Sequence, residues 1–153
     1  MREDLRMDWD DLLVGHWSSH PFSYGAMEAS ELGFIGDGRG WSAWFNANDL
    51  CVTRFNWTCP EPGMVEMQTE WMVEGTLGGE AGVLSFATME PALRVHEVTR
   101  HHYVIGAVVP MPGADPLAAI SFEEPVEFCH DFARGARRIS PEEDPAHGVP
   151  PHW

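Results

Sequence analysis

Hydrophobic and polar residues alternate along most of this chain. From Gly63 to Leu77, the series Val65, Met67, Thr69, Trp71 and Val73 alternates with Glu66, Gln68, Glu70, Met72 and Glu74. A period of two held for this length predicts a long strand with one face in a core and one in water, the antiparallel habit. A second long run extends from Leu93 to Val109. There Leu93, Val95, Glu97, Thr99, His101, Tyr103 and Ile105 share one face. Arg94, His96, Val98, Arg100, His102 and Val104 share the other, which is more polar and is assigned to the outside.

Shorter runs predict further strands over Glu31 to Gly36, Trp41 to Asn46, Leu50 to Trp57, Val83 to Met89 and Leu117 to Phe122. Val126 to Phe132 suits either a closing strand or one side of a helix, and a strand is preferred because the β-pattern needs a partner. Turn signals separate these runs. Asp37-Gly38 between two alternating segments is a hairpin signature, because glycine supplies positive φ without steric penalty. Asn46-Ala47-Asn48-Asp49, Pro60-Glu61-Pro62-Gly63 and the loop Pro110 to Pro116 divide the rest. Met7 to Val14 predicts a short N-terminal helix of about two turns, ended by Gly15, before His16-Trp17-Ser18-Ser19-His20 opens extended structure. In Leu50 to Trp57, Cys51, Thr53, Phe55 and Trp57 lie on one side and Leu50, Val52, Arg54 and Asn56 on the other.

The count is eight or nine strands joined mostly by tight turns. That is an all-β chain, forming an antiparallel up-and-down barrel because closure removes exposed edges. One barrel domain is expected over residues 1–136, followed by a proline-rich acidic tail over 137–153 that is disordered or lies loosely on the surface.

Composition narrows the partners. The 153 residues carry a formal net charge of -15, with nine arginines and no lysine. Such a surface repels nucleic acid and anionic membranes. The missing lysine removes Schiff-base chemistry and a P-loop lysine, although arginine bias in a GC-rich genome accounts for it simply. No apolar run is long enough to span a bilayer and the N-terminus lacks a signal-peptide core, so a cytoplasmic protein is expected. Cys51, Cys59 and Cys129, odd in number and irregularly spaced, read as reduced thiols.

Two stretches resemble a known family. Leu13-Val14-Gly15-His16-Trp17 resembles the Gly-x-Trp opening of lipocalin-like (calycin) barrels. Glu31-Leu32-Gly33-Phe34-Ile35-Gly36-Asp37-Gly38-Arg39-Gly40 resembles the Leu-x-Phe-x-x-Asp-Gly-x-Gly hairpin of small bacterial lipocalin-like domains, followed by a strand ending in Phe55-x-Trp57. Together these cover about the first third of the chain. The resemblance implies the barrel fold more firmly than a ligand, which varies between members.

Candidate chemistry is sparse. His101 and His102 are adjacent on a strand and point to opposite faces; His16 and His20 share a face but stand about 13 Å apart. A haem-binding barrel of the nitrobindin type, a relative of this architecture, uses a histidine near its C-terminus, with which His130 compares. The extended glycine motif that accompanies it is absent after Trp17. No metal and no cofactor is expected. No Gly-x-Ser-x-Gly occurs. Glu97, His101 and Tyr103, on the presumed inner face of one strand, are the acid–base candidates, since burial can raise a carboxylate's pKa and keep an imidazole neutral. Trp44, Met67 and Trp71, with His101 and Tyr103, are the candidate ligand wall. Arg54 joins them if its face is inner, where it needs an anionic partner, and is an ordinary solvated charge if its face is outer.

These features point to a lipocalin-like barrel that binds a small, mostly hydrophobic molecule. Two alternatives stand beside it. One is a small-barrel cyclase or isomerase using Glu97, His101 and Tyr103 on an apolar substrate; the other is an interaction module whose barrel is filled solid. Assembly into a homo-oligomer is compatible with all three.

Overall fold

The computed structural model describes residues 10–23, 27–79 and 83–150. Among the described residues, nine antiparallel strands run in chain order: β1 (Gly15–Ser18), β2 (Glu28–Phe34), β3 (Arg39–Asn46), β4 (Asp49–Glu61), β5 (Met64–Leu77), β6 (Phe86–Met89), β7 (Leu93–Val108), β8 (Leu117–Val126) and β9 (Cys129–Arg134). Each of β1 to β5 pairs with its successor, β5 skips to β7, and β9 returns to β1. Eight strands thus close a barrel, and β6 lies outside it on the C-terminal end of β5. The all-β antiparallel barrel expected from the alternation is present. The short N-terminal helix is not shown. Met7, Asp8 and Trp9 lie outside the described residues, and residues 11–13 form a turn rather than helix. The two helical segments among the described residues are single 3-10 turns, His20–Phe22 and Pro141–Glu143.

Two glycines show why the early sequence reads as it does. Gly15 adopts φ +130°, and a Cβ there would stand 2.5 Å from the carbonyl of Ala136. The indole of Trp41 lies flat on Gly33, where a Cβ would meet it at 2.3 Å. Each is a close approach that only glycine permits.

The long strand β5 does not keep one face throughout. Thr69 pairs with Phe55 of β4, but the next pair is Trp71 with Arg54, leaving Glu70 as an inserted residue. A β-bulge of this kind reverses the alternation beyond it. Val65, Met67 and Thr69 therefore face inward, whereas Trp71 and Val73 face outward and Met72 takes the inner position. The single apolar face expected for Val65 through Val73 is corrected accordingly.

The apolar residues form two separate clusters. The first fills the half of the barrel nearer β1: Trp17, Leu32, Phe34, Phe55, Trp57, Val65, Ile120 and Phe132 pack there with almost no exposure. Phe34 meets Trp57 edge-on at 5.3 Å between centroids, and Phe122 meets Phe132 at 5.8 Å. The Trp17 indole donates to the Leu13 carbonyl at 2.9 Å, and the Arg134 guanidinium stacks 4.0 Å from its ring centroid. Arg134 also donates to the carbonyls of Leu12 and Val14, tying the N-terminal segment to this end.

The second cluster lies on the outside of β3, β4 and β5. Trp41, Ala43, Leu50, Val52 and Val73 are covered there by Ala146 and Val149 of the C-terminal segment. Arg54 sits among them, outside the barrel yet only 1% exposed. Its Nε donates to Asp144 at 2.8 Å, and its Nη atoms donate to the carbonyls of Val149 and Ala146. Pro141 to Pro150 is thus a packed strap rather than a loose tail. Its composition suggested disorder, but one buried guanidinium supplies partners for a carboxylate and two carbonyls that would otherwise be left dry.

Candidate functional site

The other half of the barrel is open. Between the packed floor and the mouth lies a cavity of about 270 Å³, lined by residues from β3, β4, β5, β7 and β8 and the turn after β8. Phe55, Met67, Met72, Val95 and Val126 supply its apolar wall. Ser42, Thr53, Thr69 and Thr99 supply hydroxyls, and Glu97, His101 and Glu127 supply the ionisable groups. The alternation of β7 puts Glu97 near the rim and His101 deeper, against the floor, where it meets Phe122 edge-on at 6.0 Å. His101 Nδ1 is buried without a hydrogen-bond partner. Burial pulls this imidazole below its usual pKa, against an opposing effect from Glu124, so it is neutral at pH 7.

Glu127 reaches the cavity from a strained turn. Val126 pairs with Cys129, so Glu127 and Phe128 alone make the β8–β9 loop. Both have positive φ, 49° and 68°. Two-residue hairpin loops of the type I′ kind require this, normally from Asn-Gly or Asp-Gly. Two contacts hold the turn down. The Ser30 hydroxyl donates to the Glu127 carbonyl at 2.7 Å, and Phe128, although 77% exposed, meets Trp44 edge-on at 6.3 Å. Burial pushes the Glu127 carboxyl up to about 7, the Ser42 hydrogen bond only partly opposing it. A carboxyl that changes charge near neutrality and a neutral imidazole share one cavity.

The structure distributes the residues singled out from sequence unevenly. Met67, Glu97 and His101 line the cavity. Tyr103 is buried on the same face but below the floor, and its hydroxyl donates to the Asp10 carboxylate. The trio Glu97, His101 and Tyr103 is therefore divided. Trp44 stands at the mouth, in an adjoining hollow with Cys51 and Glu74, with its indole N–H buried and unpartnered. Trp71 faces outward beyond the bulge and packs under Arg94, whose guanidinium is 5.2 Å from its centroid. Arg54, on the outer wall, does not reach the cavity. His130 is exposed, its Nδ1 3.0 Å from the Phe122 carbonyl. Glu127 was missed because Glu-Phe is not a turn dipeptide. The available signal was a carboxylate between Pro125 and the next apolar run.

Among the described residues, no three His, Cys, Asp or Glu side chains converge as metal ligands, and no helix is long and apolar enough to cross a membrane. Compared with protein-family models, curated proteins and solved structures, the chain finds no match.

Proposed function

We propose that this chain is a lipocalin-like binding barrel that takes a small, mostly hydrophobic molecule into the open half of its interior. The observation that carries the reading is the cavity itself: an apolar patch of Phe55, Met67, Met72, Val95 and Val126 faced by hydroxyls and ionisable groups, one of them an unpaired buried imidazole nitrogen. Its volume, about 270 Å³, lies just below the usual range of ligand pockets and suits a compact molecule rather than a long acyl chain. The Gly15-x-Trp17 opening and the Asp37-Gly38 hairpin support the family resemblance. Native mass spectrometry of protein taken from its own cells, before and after denaturation, tests the reading. A small molecule that travels with the folded protein and leaves on unfolding is the expected result. A bare protein mass, together with no uptake of an apolar fluorophore, would sink it in favour of a filled barrel.

Glu127 and His101 favour one second reading, the cyclase or isomerase. A carboxyl near pH 7 and a neutral imidazole are a workable acid–base pair. Turnover of a bound ligand that disappears in Glu127→Gln, with binding intact, would establish it.

A further inference from the structure

We infer that the cavity's ligand is an organic cation, an ammonium group on a compact apolar body, and that Glu127 is its counter-charge. This rests on the binding reading above and names the class of ligand. Every described residue lining the cavity that carries formal charge when ionised at neutral pH is a glutamate, Glu97 at the rim and Glu127 at the turn. Among the described residues no arginine lines it, and the chain has no lysine. Arg54 was the best sequence candidate for an anion's partner, but it is committed to Asp144 and two carbonyls on the outer wall. A carboxylate ligand would enter a low-dielectric space beside two carboxyl groups with no cation to meet it. An ammonium would meet the reverse situation. Glu127 accepts its hydrogen bond, the unpaired His101 Nδ1 offers a neutral acceptor on the floor, and Phe55, Met67 and Met72 enclose the apolar body.

Strain points the same way. Two consecutive non-glycine residues in the left-handed region are costly, and such strain persists where the surroundings enforce it. Here the turn aims a carboxyl inward, a placement that Asn-Gly could not supply. The wider field agrees, since a net charge of -15 draws cations toward the mouth.

Three probes of matched size provide the test: 2-phenylethylammonium, 2-phenylethanol and phenylacetate, titrated calorimetrically against the full chain at pH 8 and low salt. The ammonium is expected to bind at least about tenfold more tightly than the alcohol, with phenylacetate weakest. Glu127→Gln should bring the ammonium down to the alcohol's affinity while leaving the alcohol within about threefold. Because the three probes are compared first on the unaltered protein, the test does not depend on the variant folding. If the alcohol or phenylacetate binds as tightly as the ammonium, the inference fails and the barrel remains a binder. If none of the three binds at millimolar concentration, the proposed function falls and this inference with it.

Discussion

The two halves of the barrel are built from the same strands and treated in opposite ways. In the half nearer β1, inward positions carry Trp17, Phe34, Trp57 and Phe132, all buried, with Phe34 edge-on to Trp57 and Phe132 edge-on to Phe122. In the half toward the β8–β9 turn, the inward positions of the same sheet carry Ser42, Thr53, Thr69, Glu97 and Glu127 around a hole. The first arrangement maximises buried apolar area, which drives folding; the second forgoes it. A closed sheet of eight strands can be filled or hollow, and here each answer occupies one end. Stability resides in the plugged end, and chemistry has freedom at the other.

That contrast can be broken at several points. The largest effect is expected at the plugged end: Trp17→Ala should cost about 3–5 kcal/mol, while Met72→Ala in the cavity wall should cost less than about 1 kcal/mol. Urea midpoints for the two variants check this, and equal losses would show that the halves are not energetically distinct. Arg54→Met should be nearly as damaging, about 3–5 kcal/mol, because it strands a fully buried Asp144 carboxylate. Adding Asp144→Leu should recover most of that loss if the damage comes from the orphaned charge.

At the open end the sign should reverse. Replacing the turn by Glu127→Asn with Phe128→Gly relieves two left-handed residues and forfeits the Phe128–Trp44 contact. A net gain of about 1 kcal/mol or more in stability is expected, with loss of ammonium binding. A loss of stability would mean that the turn is not strained.

The smallest effect is a pH slope. The Glu127 carboxyl, raised in the fold from 4.5 to about 7, keeps its proton where the unfolded chain has lost it. Its stabilising contribution is therefore complete below about 4.5 and is lost as pH rises through about 7. Around it stand Ser42, Cys51, Glu74, Glu97, His101 and Glu124. The only cation among these forms by protonation of His101 in acid, and the Cys51 thiol is itself pushed up to about 12, chiefly by burial and further by Glu127 and Glu74. Relative to wild type, Glu127→Gln should gain about 1–3 kcal/mol between pH 5 and pH 8. Parallel stability curves for the two proteins would refute the raised value.

Much of the fold was legible because alternation directly reports which side a strand residue faces. The inner assignment of Val95, Glu97, Thr99 and His101 holds, since all four line the cavity, and Tyr103 is buried below them. It failed for Trp71 because a bulge adds one residue without changing composition, and Glu70 looks like any solvent-facing glutamate. The strap was illegible for a related reason. Ser-Pro-Glu-Glu-Asp-Pro reads as a solvated sequence, and only a guanidinium some 90 positions away makes Asp144 a buried residue. The cavity was half legible. Met67, Glu97 and His101 lie on strands whose period reveals them, whereas Glu127 depends on a turn conformation that its residue types disfavour.

The strap also sets an order of events during synthesis. The outer wall that carries Val52 and Arg54 leaves the ribosome well before Asp144 and Ala146, which must cover it. At roughly 5–20 residues per second, that wall waits on the order of 5–20 s before the segment that covers it emerges. A nascent chain stalled in that interval would present its stickiest surface, and the emergence of the strap is what covers the barrel wall.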